Sequence, residues 1–389
     1  MRVTHIITRL IVGGAQENTV ASVLGLREKP GLEVDLISGP TASGEGSLEG
    51  AFENAPGTLR IAPHLVREVN PVKDLRALAE LTQLLRERRP DVVHTHSSKA
   101  GILGRRAARR AGVPIIVHTI HGPSFGGFQG GLANMVFKTA ERFAARWTTH
   151  FVSVADAMTA QFLASGIGRP ENFSRIYSGF PLEPFLEATN DPALRARLGL
   201  APDAFVVGKI ARLFERKGHD DLIDMAPELV RLCPQIQFLL VGGGPWRERL
   251  EARVRAAGLQ GRFVFTGLVP PGDVHRYVGV MDVLVHLSSR EGLARALPQA
   301  LAAARPVVAY DYDGAREVCL DGRTGFLTPA GDRPAVLRSI CALAGDAKLR
   351  TRLGLAGREF VRERFPVQRM VDELHTLYLR LMREREAMM

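Results

Sequence analysis

The feature that most constrains the fold is an alternation, along most of the chain, of short apolar segments with longer segments that are amphipathic at helical spacing. Short runs rich in β-branched residues, such as residues 3–8 and 114–119, predict strands, and the longer segments predict helices. Strands buried on both faces read as continuous apolar runs, so the alternation favours parallel sheets with helices on both faces. Because one core rarely extends beyond about 250–300 residues, a chain of 389 residues is expected to form two such doubly wound α/β domains.

A stretch rich in glycine and proline interrupts the alternation between Tyr177 and Asp203. We therefore predict an N-terminal domain at residues 1–185 and a C-terminal domain at residues 200–364. The remaining segment, residues 365–389, has one apolar stripe at helical spacing that extends from Val367 to Met382. A terminal helix has to bury such a stripe, and we expect this one to pack back on the N-terminal domain.

Three features of the sequence indicate the cellular compartment of the protein. The three cysteines, Cys233, Cys319 and Cys341, have neither the spacing of a disulfide framework nor that of a zinc site. The N-terminus enters a strand pattern directly, without the layout of a signal peptide. No apolar run approaches the ~20 residues that a membrane span needs. These features predict a cytoplasmic protein.

The net charge of +10 suits three kinds of anionic partner: nucleic acid, a membrane surface or a phosphorylated ligand. Aromatic residues make up 6% of the chain and do not interleave with the basic ones, so we expect no nucleic-acid partner. A predicted helix at residues 98–111 carries several cations, which favour a solvated face. The alternative is peripheral contact with anionic lipid at the inner face of the cell membrane. The cations are Lys99, Arg105, Arg106, Arg109 and Arg110.

A second predicted helix, residues 132–147, has an apolar face opposite Lys138, Glu141 and Arg146. Packing of the apolar face in the protein core is the favoured interpretation, and insertion into a bilayer surface is the alternative. The apolar residues are Leu132, Met135, Val136, Ala140, Phe143, Ala144 and Trp147.

Candidate ligand-binding residues in the N-terminal domain follow predicted strands. Ligands of open α/β sheets bind beyond the carboxyl ends of the strands, and a helix N-terminus there favours anions. Gly13 and Gly14 lie between the first strand and the first helix, although not in the Gly-x-Gly-x-x-Gly pattern of dinucleotide-binding proteins. His121 follows the strand at residues 114–119 and precedes a glycine-rich loop. Other histidines lie inside apolar strands and are predicted to be structural. They are His94, His96 and His118.

In the C-terminal domain, cations, glycines and an acid occupy equivalent positions. Arg212 and Lys217 share a loop between a predicted strand and a predicted helix, where a guanidinium and an ammonium group can bind a diphosphate. Gly243 is the centre of three glycines that follow the next strand. Glu291 comes after the apolar run at residues 281–287, and Gln299 lies further on, in the helix that follows. This pattern predicts a site for a phosphorylated ligand.

Taken together, these motifs resemble those of the family 4 retaining glycosyltransferases of the capsule, lipopolysaccharide and exopolysaccharide type. The resemblance covers nearly the whole chain. Its pieces are residues 13–16, 94–101, 118–122, 212 with 217–218, 241–245, 291–293 and 314–325. It implies the GT-B fold, in which two Rossmann-like domains face each other across a cleft. It also implies that the N-terminal domain binds the acceptor and that the C-terminal domain binds a nucleotide-sugar donor.

The resemblance assigns roles to the candidate residues. Gly13 and Gly14 would border the donor diphosphate, and His121 would lie beside the donor sugar. Arg212 and Lys217 would neutralise the leaving phosphates, where negative charge develops during transfer.

For the stretch around Glu291, the resemblance implies a hydrogen bond from this acid to the donor sugar. The backbone amides of Gly292, Leu293 and Ala294 would lie near the sugar and the phosphate. The family has a second acid, which binds the ribose of the nucleotide, at the position of Gln299. A neutral hydrogen bond in place of a charge-assisted one weakens donor binding by roughly 1 kcal/mol, or several-fold.

The sequence departs from the family at two more positions. Gly243 stands where the family often has an acid, and Ala304 stands where it often has glycine. Asp311 and Asp313 look like the Asp-x-Asp metal motif of other glycosyltransferases, but they adjoin the family's loop at residues 314–317, and GT-B enzymes generally need no metal. We therefore expect no metal ion and no cofactor apart from the nucleotide sugar, which is a substrate.

The leading hypothesis is transfer of a sugar, with retention of anomeric configuration, from a nucleotide diphosphate sugar such as a UDP-sugar. The acceptor would be a glycan or lipid-linked glycan of cell-envelope polysaccharide synthesis. No carboxylate is placed as a nucleophile, so the resemblance favours front-side displacement, in which the leaving phosphate oxygen takes the acceptor proton. Two alternatives stay open. One is an enzyme like UDP-N-acetylglucosamine 2-epimerase, which shares the two-domain fold, and the other is a non-catalytic nucleotide-sugar-binding protein, which Gln299 would suit.

Overall fold

The computed structural model describes residues 1–41 and 45–388 of the chain. It divides into two compact units. Met1–Phe180 and Val367–Met389 form the first, and Pro181–Pro366 form the second. Each unit contains one parallel sheet with helices between its strands, so the predicted class of two doubly wound α/β domains is confirmed.

The first unit has a seven-stranded sheet in the order β3-β2-β1-β4-β5-β6-β7. Its strands are β1 Arg2–Ile7, β2 Glu33–Ser38, β3 Leu59–Ile61, β4 Val92–His96, β5 Ile115–Ile120, β6 His150–Ser153 and β7 Phe173–Arg175. Its helices before the second unit are α1 Gly14–Arg27, α2 Pro71–Arg88, α3 Ser98–Ala111, α4 Gly131–Ala145 and α5 Asp156–Ala164. Strand β1 pairs in parallel with both β2 and β4, so the strand order reverses at β1 and β4. Such a reversal is the usual ligand position of an open α/β sheet.

The second unit has a six-stranded sheet in the order β10-β9-β8-β11-β12-β13. Its strands are β8 Phe205–Ile210, β9 Ile236–Val241, β10 Phe263–Gly267, β11 Val283–His286, β12 Val307–Asp311 and β13 Gly325–Pro329. Its helices are α6 Glu183–Leu186, α7 Pro192–Arg197, α8 His219–Leu232, α9 Arg247–Ala256, α10 Val274–Gly279, α11 Ala296–Ala302, α12 Arg333–Gly345 and α13 Ala347–Arg364. Strand β8 pairs with both β9 and β11. The strand order therefore reverses between β8 and β11. The loops that follow these two strands carry candidate residues for binding the donor.

The second unit begins at Pro181, so the segment at residues 186–199, which we placed between the domains, is part of that unit. Phe185 meets His275 edge to face, with ring centroids 6.1 Å apart. A Cβ atom on Gly279 would lie 2.3 Å from the carbonyl oxygen of Thr189, so the two backbones are in close contact there. The prolines and glycines of this segment shape short packed helices, and they do not mark a flexible linker.

The C-terminal helix α14, Val367–Glu386, packs in the first unit. Its buried side chains are Met370, Val371, Leu374, Leu377, Tyr378 and Leu381, and they share one core with β1 and α1. Val371 fits against Gly25 of α1, where a Cβ atom would lie 2.5 Å from its Cγ2. The Asn18 amide donates a hydrogen bond to the Met370 sulfur at 3.1 Å. The helix therefore completes the core on the α1 side of the first sheet.

Helix α4 is rotated relative to the sequence prediction. Glu141, which we placed on the polar face, is buried, and it forms an ion pair of 2.5 Å with the fully buried Arg105 of α3. A buried acid is tolerated when it is paired and hydrogen-bonded, and Ser124 Oγ also donates to Glu141 at 3.2 Å. The prediction of core packing is wrong for four apolar residues, whose exposed fractions range from 48% to 74%. They are Leu132, Met135, Val136 and Phe143.

Among the described residues, every helix is too short or too polar to cross a bilayer.

Candidate active site in the second unit

Two loops meet at the carboxyl ends of β8 and β11. Gly218, which ends the loop after β8, has φ +70°, and a Cβ atom there would lie 2.0 Å from the carbonyl oxygen of Leu287. The Arg216 carbonyl accepts a hydrogen bond from the Ser289 amide at 3.0 Å, and Ser288 Oγ lies 3.1 Å from the same carbonyl oxygen. Two features allow the loops to lie in direct contact. Gly218 adopts a left-handed backbone conformation and has no Cβ atom, and Ser288 has a short hydroxyl side chain.

This contact brings together Lys217 and Glu291, which are 74 positions apart in the chain. The Lys217 ammonium donates a hydrogen bond to Glu291 Oε1, and Ser288 Oγ donates to the same oxygen at 3.0 Å. The Glu291 amide donates to Asp313 Oδ2 at 2.8 Å. The Lys217 and Glu291 side chains are 23% and 26% exposed, so both remain accessible to a ligand.

Burial alone would raise the pKa of the Glu291 carboxyl, but the Lys217 charge and the hydrogen bonds from Lys217 and Ser288 outweigh burial. The pKa of Glu291 therefore lies below its usual value, and the side chain is ionised at neutral pH. His286 Nε2 lies 4.0 Å from Glu291 Oε1, and burial lowers the pKa of His286 to about 3. The site at neutral pH thus combines a carboxylate, an ammonium group and a neutral imidazole.

Asp311 and Asp313 have different partners. Asp311 binds the Arg316 guanidinium through both carboxylate oxygens, at 2.5 and 2.9 Å. Asp313 accepts the Glu291 amide hydrogen bond and has a backbone φ of +48°. Burial, together with the Glu291 charge, raises the pKa of Asp313 to about 6. Asp313 therefore holds the backbone of Glu291, a contact that the sequence did not reveal.

Arg212 occupies the same loop as Lys217. Its carbonyl is 2.9 Å from His219 Nε2 of α8, and its guanidinium lies over the Phe214 ring at 5.6 Å. The glycines at residues 242–244 run alongside this loop, and the Leu213 amide donates to the Gly243 carbonyl at 2.9 Å.

Two of these three glycines are required by the close approach of the loops. Cβ atoms at Gly242 and Gly244 would lie 2.2 and 2.4 Å from the carbonyl oxygens of Ala211 and Leu213. A Cβ atom on Gly243 would instead meet ordinary contacts at 3.4 Å. A side chain therefore fits at Gly243, in agreement with the acid that the resembled family often has there.

The segment after Glu291 leads into a fully buried helix. The Gly292 carbonyl accepts a hydrogen bond from the Gly314 amide at 3.0 Å, and Leu293 and Ala294 are buried. Gln299 lies in α11 and is 8% exposed. Ala304, just beyond α11, has φ +54°, a conformation that glycine adopts without strain. The departure from glycine at this position therefore leaves a strained backbone.

Sequence reasoning missed Lys209, on β8. Its ammonium group is buried and has no hydrogen-bond partner among the described residues. Burial and the nearby Lys217 charge lower the pKa of Lys209 to about 7, against the opposing influence of Glu291 and Asp221. A lysine inside an otherwise apolar strand was the available signal. Lys209 therefore adds a second amine, only partly protonated at neutral pH, to the surroundings of Glu291.

The remaining candidates lie in the first unit, and their relation to the second unit stays a prediction. Gly13 precedes α1, and Gly14 is the first residue of that helix. His121 follows β5, and its Nε2 lies 2.9 Å from Nδ1 of the buried His96. These residues of the first unit therefore follow two strands of its sheet, β1 and β5.

Comparisons with known proteins agree with this arrangement. A family model described as Glycosyl transferase 4-like domain matches residues 13–179, and one described as Glycosyl transferases group 1 matches residues 190–360. The chain is 30% identical, over 321 residues, to the UDP-Gal:alpha-D-GlcNAc-diphosphoundecaprenol alpha-1,3-galactosyltransferase of Escherichia coli, and the match covers 82% of each protein. The chain belongs to the group 1 glycosyltransferases. Sugar transfer is therefore the activity of this enzyme.

The names of other relatives of this glycosyltransferase specify different sugar donors. It is 29% identical to the GDP-mannose-dependent alpha-mannosyltransferase of Mycobacterium tuberculosis, over 92% of this chain and 90% of that protein. In structure it is similar to Anabaena Alr3699/HepE in complex with UDP and glucose, with a TM-score of 0.82 and 23% identity over 97% of this chain and 99% of that one. The structural likeness supports the GT-B fold class.

Proposed function

We propose that the enzyme transfers a sugar from a UDP-sugar to a hydroxyl of a glycan or lipid-linked glycan in cell-envelope polysaccharide synthesis, with retention of anomeric configuration. The observation that carries this proposal is the cluster of Lys217, Glu291 and Ser288 where the strand order of the second sheet reverses. The E. coli relative supports the donor and acceptor class, because its name specifies UDP-Gal and a diphosphoundecaprenol-linked sugar.

In this proposal the cations bind the leaving group and the acid binds the sugar. Arg212 and Lys217 neutralise the diphosphate, whose charge increases as the bond to the sugar breaks. The ionised Glu291 accepts a hydrogen bond from a sugar hydroxyl, and the amides of Gly292, Leu293 and Ala294 lie beside it. Gly13, Gly14 and His121 contribute to the donor site from the first unit.

Retention follows from front-side displacement. The acceptor oxygen forms its bond to the anomeric carbon as the bond from that carbon to the phosphate oxygen breaks, and the acceptor proton passes to that phosphate oxygen. A nucleophilic carboxylate is not needed, and the structure assigns the acids of this cluster other contacts. Glu291 is bound by Lys217 and Ser288, and Asp313 by the Glu291 amide. The proposed reaction also uses no metal ion.

Donor screening by thermal unfolding tests the proposal. A donor at 100 times its dissociation constant stabilises the folded state by about 2.7 kcal/mol. We expect UDP-sugars to raise the melting temperature with EDTA present, and GDP-mannose to have a smaller effect. Stabilisation by GDP-mannose alone would contradict the UDP assignment. Incubation with UDP-N-acetylglucosamine and no acceptor should yield no new sugar nucleotide, because that product would identify an epimerase.

Gln299→Glu is expected to strengthen donor binding several-fold, since it restores a charged acceptor for the ribose hydroxyls. Isothermal titration with UDP compares the variant with the wild type. Gln237→Glu is the matched control, because Gln237 is also 8% exposed but lies in β9, at the opposite end of that strand from Gly242, where its side chain accepts a hydrogen bond from the Ala201 amide. Equal UDP affinities for the wild type and Gln299→Glu would contradict the proposed contact between Gln299 and the ribose.

We further propose that the exposed apolar face of α4, formed by Leu132, Met135, Val136 and Phe143, docks on an anionic membrane. Three cations lie in α4 or directly after it: Lys138, Arg142 and Arg146. An amphipathic helix with apolar and basic residues together binds in the headgroup region of anionic bilayers. The proposed lipid-linked acceptor gives a reason for such contact, and the net charge of +10 favours it.

Flotation with vesicles tests this docking surface. We expect the wild type to bind vesicles that contain phosphatidylglycerol, and not vesicles of phosphatidylcholine alone. Met135→Ser with Phe143→Ser should reduce binding at least tenfold, since two partly inserted side chains are lost. Leu75→Ser with Leu379→Ser is the control, because both leucines are exposed on other helices. Equal loss of binding in the two double variants would contradict a specific role of α4.

A further inference from the structure

A chain of side-chain hydrogen bonds crosses the core of the first unit from α14 to His121. Tyr378 Oη lies 3.4 Å from His5 Nε2, His5 Nδ1 lies 2.9 Å from His96 Nε2, and His96 Nδ1 lies 2.9 Å from His121 Nε2. Tyr378, His5 and His96 are fully buried. We name these three residues and His121 the histidine chain. It connects a residue near the end of the protein to a candidate residue of the donor site.

A side branch fixes the far end of the histidine chain. His94 Nδ1 lies 2.5 Å from Tyr378 Oη, and His94 Nε2 lies 2.6 Å from Thr119 Oγ1. His94 is also fully buried, and its ring meets the Tyr378 ring edge to face. Every nitrogen of His5, His94 and His96 thus has a polar neighbour, as buried polar groups require.

The rings of the histidine chain meet end to end. Between His5 and His96 the nitrogen atoms are 2.9 Å apart while the ring centroids are 5.1 Å apart, and the ring planes differ by 11°. Between His96 and His121 the centroids are 5.2 Å apart. The nitrogens are therefore the nearest parts of both ring pairs, which is the geometry of an N–H···N hydrogen bond and not of face-to-face stacking.

Burial keeps the inner histidines neutral. It lowers the pKa of His5 to about 3, and it lowers the pKa of His94 and His96 well below the usual value. A neutral imidazole has one N–H donor and one acceptor nitrogen. When His96 donates through Nδ1, it must accept from His5 through Nε2. The direction of one hydrogen bond therefore sets the direction of all the others.

The two possible directions of the histidine chain differ in which group donates at the side branch. If the Tyr378 hydroxyl donates to His94, its oxygen accepts from His5, and His121 donates through Nε2. If His94 donates to Tyr378 instead, the hydroxyl donates to His5, and His121 accepts at Nε2. In each case the tautomer of His121 is coupled to the orientation of the Tyr378 hydroxyl.

Three of these histidines also have their nitrogen atoms close enough together to bind one metal ion. Ligand atoms of His5, His94 and His96 lie within 4.8 Å of one another. A nitrogen that binds a metal cannot also take part in a hydrogen bond between two imidazoles, and His5 Nδ1 and His96 Nε2 form such a bond. The observed contacts therefore favour a hydrogen-bonded chain over a metal centre.

We propose that Tyr378, His5 and His96 are positioning residues that fix the tautomer of His121 for sugar transfer. This inference rests on the proposed role of His121 beside the donor sugar. A fixed tautomer presents either a donor or an acceptor to the sugar hydroxyls. Removing the groups that orient metal-bound histidines typically costs about 10–100-fold in affinity or activity, and we expect a loss of the same order here.

Tyr378→Phe tests the proposal, because it removes the hydroxyl and keeps the ring in the core. In protein labelled with ¹⁵N-histidine, we expect the Nδ1 and Nε2 shifts of His121 to change toward a mixture of tautomers. The His121 signals are assigned by their loss in His121→Asn. We expect kcat to fall by about 10–100-fold, with a smaller change in KM for the donor. His5→Gln, which interrupts the chain beyond Tyr378, should change the same signals.

Tyr310→Phe is the matched control, since Tyr310 is also buried and its hydroxyl donates to Asp221 in the second unit at 3.1 Å. It should leave the His121 signals unchanged. Unaltered His121 signals in Tyr378→Phe would overturn the proposal, as would stoichiometric zinc in the purified wild type that is lost in His5→Gln. The nitrogen shifts do not depend on any donor. Altered shifts in an enzyme that transfers no sugar would therefore contradict the proposed function and leave the histidine chain supported.

Discussion

Replacing Lys217 by alanine is expected to lower sugar transfer and donor hydrolysis by about 10²–10³-fold, the usual cost of removing one group that stabilises charge in a transition state. Lys217 is proposed to neutralise the leaving diphosphate, and it also pairs with Glu291. Without the ammonium group, burial is left to raise the pKa of the Glu291 carboxyl. The residual activity should therefore increase with pH as Glu291 becomes ionised, and steady-state rates between pH 5 and 8 measure this.

Lys29→Ala is a closely matched control for this variant. The Lys29 side chain is 22% exposed, against 23% for Lys217, and it also donates to a carboxylate, that of Asp372 on α14. We expect Lys29→Ala to retain wild-type rates, because an exposed ion pair contributes about 0–1 kcal/mol to stability. Near-normal turnover in Lys217→Ala, or an equal loss in Lys29→Ala, would refute the assignment of Lys217 to the leaving group.

The cluster around Glu291 shows what a sequence can predict about a site. Lys217 and Glu291 each follow an apolar strand, and parallel strands bring their carboxyl ends to one edge of a sheet. The meeting of these residues was therefore predictable once the strands were recognised. The contact of Asp313 with the Glu291 amide was not, because it depends on the path of a loop and on one residue with positive φ.

Helix α4 shows where periodicity fails. Hydrophobic spacing identifies the apolar face of a helix, but burial follows the neighbour that the helix packs against. Here α3 supplies the buried Arg105, whose charge makes burial of Glu141 favourable. A pattern read within one helix cannot reveal a cation on another, so the predicted orientation was wrong. The hydrogen bonds of the buried histidines in the first unit could not be predicted for the same reason, since His5 and His96 lie on neighbouring strands and Tyr378 lies on α14.

The pair of Arg105 and Glu141 leads to the second large expected effect. Arg105 donates to the Gly101 carbonyl at 2.7 Å and to Glu141 at 2.5 Å, and both side chains are at most 1% exposed. Arg105→Met is expected to lower the free energy of unfolding of the first unit by about 3–5 kcal/mol, because it leaves the Glu141 carboxylate buried without a counter-charge. Urea denaturation measures the loss.

The two tryptophans allow this measurement to be confined to one unit. Trp147 packs on the core beside α3, and Trp246 belongs to the second unit. In a Trp246→Phe background, fluorescence reports the first unit through Trp147. We expect Arg105→Met with Glu141→Met to recover most of the stability lost in the single variant, since no unpaired charge then remains. A double variant as unstable as Arg105→Met would contradict this explanation. Arg105 would then stabilise the first unit through its hydrogen bond to Gly101 and its packing, and not by neutralising the buried Glu141.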